Sequence, residues 1–109
     1  MDEIDELRDA LDRLHAAFDD LIARGLRAAG PRELARLTAL ADELRRAGAD
    51  HLAGRLTELA DRLRADDRAA APALLRAMTS LRLFDRVLTL EVASASLAAA
   101  AAIPVGEGG

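Results

Sequence analysis

The sequence predicts an all-α fold: an antiparallel four-helix bundle with a short central helical hairpin and a long C-terminal helix. Three observations predict it. Apolar residues recur at alternating three- and four-residue spacings, the pattern of a helix with one buried side. Glycine, proline and a pair of aspartates interrupt that pattern at short intervals, so successive helices must fold back on one another. β-branched residues are few and no alternating apolar–polar run persists, which leaves no signal for a strand.

The first helix is expected over Asp2 to Arg24, with Ile4, Leu7, Leu11, Leu14, Phe18 and Leu21 on one seam. Gly25 suits the left-handed position just past its end, where Leu26 could fold back on Leu21. Gly30-Pro31 opens the second helix. Proline is pre-set for a first turn, and Glu33 can reach back to free N–H groups. Leu34, Leu37, Leu40, Ala41 and Leu44 form its apolar side, and Gly48 stops it.

Asp50 is the expected N-cap of a third helix, about 51–65, with Leu52, Leu56, Leu59 and Leu63 on one side. The connection between the second and third helices is so short that they must form an antiparallel hairpin. The hairpin contains an internal repeat. Residues 36–45 match residues 55–64 at eight of ten positions, and two copies are too few for a solenoid. Asp66-Asp67 marks the next turn, and either could cap the fourth helix. Pro72 fits the first turn of that helix, which is long, about 71–100, and uninterrupted by glycine or proline until Pro104. Residues 1–102 are read as one helical-bundle domain and 103–109 as a flexible tail.

Composition narrows the function classes. Of the 109 residues, 26 are alanine and 20 leucine, and Cys, Lys, Asn, Gln, Trp and Tyr are absent. That excludes disulfides, thiol or lysine nucleophiles and cysteine-based metal sites. The net charge is −4, with an acidic first twenty residues and a mildly basic middle in which acids and arginines are interleaved. That balance, with two phenylalanines as the only aromatics, does not suit nucleic acid. The acidic, amphipathic start does not resemble a secretory leader. The longest uncharged run, Val92 to Gly106, is too short and too alanine-rich to span a bilayer. A cytoplasmic protein that contacts no membrane is expected.

No catalytic constellation is visible. The serines lie in no strained elbow or glycine-rich loop, and there is no phosphate-cradling glycine motif. A non-enzymatic protein without cofactors is expected. Asp12, His15 and Asp19 share one side of the first helix and are weak candidates for a metal site. A carboxylate-bridged metal bundle needs a second acid-x-x-His copy, which the chain lacks. His15 on the solvated rim of the seam is the simpler reading. His51, beside Asp50, reads as part of a capping turn.

The fourth helix holds the most informative pattern. At 100° per residue, Leu74, Ala77, Met78, Leu81, Phe84, Leu88 and Val92 share one side, while Leu83, Val87, Leu90 and Leu97 lie nearly opposite. A helix apolar on two sides is buried on two sides. A bundle of four helices cannot easily surround one of them, although a wrapping hairpin would leave no exposed patch. The second side, flanked by Arg82 and Arg86, is therefore expected to pack on a second copy or another protein. Asp85 falls within the first apolar side and is expected to be buried and paired with an arginine. The reading is thus an accessory or adaptor subunit, or a homo-oligomer, assembling through the C-terminal helix. A metal- or small-ligand-binding bundle is the alternative.

Overall fold

A computed structural model describes residues 3–102. It contains α1 (Glu3–Arg24), a single 3-10 turn (Leu26–Ala28), α2 (Pro31–Arg46), α3 (Asp50–Arg64) and α4 (Ala70–Ala102). There is no strand among the described residues. The expected tail, 103–109, lies outside them. α1 packs on α2, α2 on α3 and α3 on α4, while α1 and α4 meet only over a short stretch. Cross-helix pairs give the directions. Arg13 with Glu43 and Arg24 with Glu33 set α1 antiparallel to α2. Arg76 with Glu58 and Ser80 with His51 set α4 antiparallel to α3.

The predicted seams form the core. Leu14, Leu37, Leu44, Leu52, Leu56, Leu59 and Leu81 are essentially inaccessible to solvent, and Phe18 joins them. Ala10, Ala17, Ala41, Ala53, Ala60, Ala73 and Ala77 are also buried. These alanines line helix contacts, where small side chains let backbones approach closely. Ile4 departs from the expected seam and is exposed. It lies near the start of α1, where α2 is already ending.

The turns show why the helices stop where they do. α2 ends in a Schellman motif. The Ala49 N–H donates to the Leu44 carbonyl (2.8 Å) and the Gly48 N–H to the Arg45 carbonyl (3.1 Å), with Gly48 at φ +88°. α3 ends with the same bonds, Asp67 to Arg62 and Asp66 to Leu63. Here Asp66 takes the left-handed position at φ +52°, which a short polar side chain tolerates. The Gly30 N–H donates to Glu33 Oε2 (3.3 Å) at the start of α2, as expected.

Two local expectations are corrected. Gly25 has positive φ but an extended ψ of 148°. The chain therefore leaves α1 into the 3-10 turn and does not close a left-handed cap. The N-cap of α3 is Ala49, with Asp50 the first helical residue. Its charge still lies where the helix N-terminus favours it.

The turn into α4 makes stability depend on pH. Asp67 Oδ1 accepts the Ala69 N–H (2.9 Å) and Oδ2 accepts from Arg62 (2.9 Å). Together these hold its carboxyl below the ordinary value. Arg76 does the same to Glu58 by hydrogen bonding to it. A depressed folded-state pKa contributes stability above the unfolded value, about 4. That contribution is lost as pH falls through the folded value. Asp67→Ala is therefore expected to lower the melting temperature near neutral pH. The gap from the parent should narrow as the melts are repeated at lower pH.

Candidate functional site

α4 is the longest element, and its length creates the site. Its 33 residues span about 50 Å at 1.5 Å per residue, in a molecule 66 Å long and about 22 Å across. α3, with 15 residues, is about half as long. The first turn of α3 is level with Ser80, whose Oγ lies 3.4 Å from His51 Nε2. Beyond that point α3 has no surface left to offer. Leu81 is accordingly the last fully buried residue of α4.

Past Leu81 the two sides of α4 diverge. Phe84, Asp85, Leu88 and Val92 are half-buried on the bundle side. Opposite them, Leu83, Val87, Leu90 and Leu97 are 58, 53, 61 and 70% exposed. The hairpin therefore does not wrap this side within one chain. Arg82, Arg86 and Glu91 flank it and are also exposed. No ion pair or hydrogen bond to another described residue engages any of the three.

The exposed side is more ordered than a scatter of leucines. Leu83, Val87, Leu90, Ser94, Leu97 and Ala101 succeed one another at steps of four, three, four, three and four residues. This is the heptad seam of a coiled coil, with leucines at d and Val87, Ser94 and Ala101 at a. Apolar clustering by angle finds the four large members but misses Ser94, Ala101 and the flanking Glu91. The alternating step is the signal for them. Upstream the seam is closed: its next two positions, Ser80 and Arg76, face His51 and Glu58 of α3.

Asp85 is neither fully buried nor paired with an arginine. Its Oδ2 lies 2.6 Å from His15 Nε2 of α1, with 36% of its side chain exposed. The bundle has thinned to α1 alone at this level, so the carboxylate remains partly hydrated. This contact also settles where the weak metal candidates go. His15 turns to Asp85 and does not gather with Asp12 and Asp19. Among the described residues no three His, Asp or Glu side chains come together as a metal site. His51 faces Ser80 and caps nothing.

Elsewhere, a broad groove of about 810 Å³ lies between the start of α1 and the end of α2, lined by Asp5, Asp9, Arg13, Glu43 and Arg46. Arg13 spans it, donating a hydrogen bond to Glu43 Oε1 (3.1 Å) and forming ion pairs with Glu43 Oε2 (2.8 Å) and Asp9 (3.1 Å). These pairs raise the Arg13 pKa, the Glu43 hydrogen bond most, so the groove's central cation is already engaged. No helix among the described residues is long and apolar enough to cross a membrane. Comparison with protein families, curated proteins and solved structures finds no match to this chain.

Proposed function

We propose that this protein is a non-enzymatic interaction module, an accessory or adaptor subunit or a self-assembling one, working through the solvent-facing side of α4. The observation that carries this reading is the stripe of Leu83, Val87, Leu90 and Leu97, each more than half exposed, on a helix that outruns its own bundle. Large apolar side chains aligned on a free helix are costly in water and mark a contact surface.

The test is the double substitution Val87→Asp with Leu90→Asp. Helical content by far-ultraviolet circular dichroism and the melting temperature of the dilute protein are expected to stay within a few degrees of the parent, since neither residue is in the core. Assembly mass by light scattering is expected to fall. Refractive index must report concentration, because the chain has no Trp or Tyr. Collapse of the helical signal would instead make these residues core and remove the interaction reading.

A further inference from the structure

The occupant of the exposed seam can be specified, on the reading that this side of α4 is a contact surface. We infer that it is a second copy of the same chain, paired as a parallel, in-register, two-stranded coiled coil over residues 83–101.

Three features of the seam select this partner. Leucine at every d position, Leu83, Leu90 and Leu97, with β-branched Val87 at a, is the combination that favours two parallel strands. The flanking charges then select orientation. Arg86 occupies a g position and Glu91 the e position five residues later. In a parallel pair these are the two positions that meet across the interface, g of one strand with the following e of the other. Two-fold symmetry makes the contact twice. An antiparallel pair brings g to g and e to e, where Arg86 and Glu91 would not meet. Both side chains are exposed and unengaged among the described residues, whereas Arg13, Arg62 and Arg76 are ion-paired.

The third feature is steric. The seam lies nearly opposite the side formed by Leu81, Phe84 and Leu88 at 100° per residue. Two copies joined along their seams from Leu83 onward therefore carry α1, which meets Asp85 through His15, on the outer flanks of the pair. The interface is isologous and closes at two chains. It begins at Leu83 because Ser80 and Arg76 are held inside each bundle. It runs for nearly three heptads along an alanine-rich helix, a composition that stays helical with little side-chain support.

Sedimentation with interference optics, over concentrations up to millimolar, tests this on the full chain. The parent is expected to dimerise. Arg86→Glu and Glu91→Arg are each expected to raise the dimer Kd about tenfold, by turning two attractive contacts into repulsive ones. An equimolar mixture of the two variants is expected to regain the parent affinity, because one chain then carries two acids on its flanks and the other two bases. Ala101→Cys, at an a position, is expected to cross-link the dimer fully on mild oxidation, and the chain has no other cysteine. A parent that stays monomeric overturns the inference. So does a dimer that the mixture fails to restore, or one in which Ala101→Cys does not cross-link. Those results leave the interaction reading in place. That reading fails if Val87→Asp with Leu90→Asp unfolds the bundle, or leaves the assembly mass of an associating parent unchanged.

Discussion

Leu56→Ala is expected to destabilise the fold by about 3 kcal/mol, within the range for removing a fully buried leucine. Leu56 is completely inaccessible and lies on α3, the helix that packs against both α2 and α4. Truncation there opens a cavity between two helix interfaces that both hold their shape, so collapse can fill little of it. Domains of this size have total stabilities of roughly 5–15 kcal/mol, and the loss corresponds to a melting temperature lower by roughly 10–20 °C. Leu75→Ala is the control. It removes the same atoms from a leucine that is mostly exposed, one residue from buried Leu74, and should change stability by less than about 0.5 kcal/mol. Urea denaturation followed by circular dichroism separates the two. Equal losses in both variants would mean that the core has been misplaced.

Gly25→Ala is expected to cost about 1–3 kcal/mol, for a different reason. A Cβ at Gly25 would meet nothing within 4 Å, so there is no steric argument from packing. The cost is in the backbone. Its φ of +88° with ψ of 148° lies in a region that essentially only glycine occupies. An alanine must either accept that strain or reshape the exit from α1, which sets where Leu26 packs against the core. Gly54→Ala should go the other way. Gly54 lies within α3, is exposed, and has open space at its Cβ. Alanine there is expected to stabilise by about 0.5–1 kcal/mol. Opposite signs at two glycines with equally empty surroundings would isolate backbone conformation as the cause.

The interaction surface is only partly legible in the sequence. Its four large apolar members come from 100° arithmetic along one helix, a purely local property. The charge environment does not. Asp85 is expected from the sequence to be a buried partner of an arginine, but it bonds to His15 across 70 positions of chain. Predicting that pair requires knowing which helix lies beside α4 below Ser80, and no pattern within α4 carries that information.

The same division holds for the whole molecule. Helix number, order and most boundaries are properties of the sequence by itself. Each rests on contacts within a few residues: apolar spacing, the Gly30-Pro31 start, the Gly48 stop and the Asp66-Asp67 turn. Within those helices, Leu14, Leu37, Leu44, Leu56 and Leu59 are identifiable as core because each helix has a single apolar side. Tertiary structure alone decided how far the neighbours of α4 reach along it. That is set by the register of α3 against α4, which places His51 beside Ser80 and leaves the residues after it without a second helix to cover them. Periodicity specifies which side of a helix is apolar. Whether that side is core or surface depends on the length of the helix packed against it.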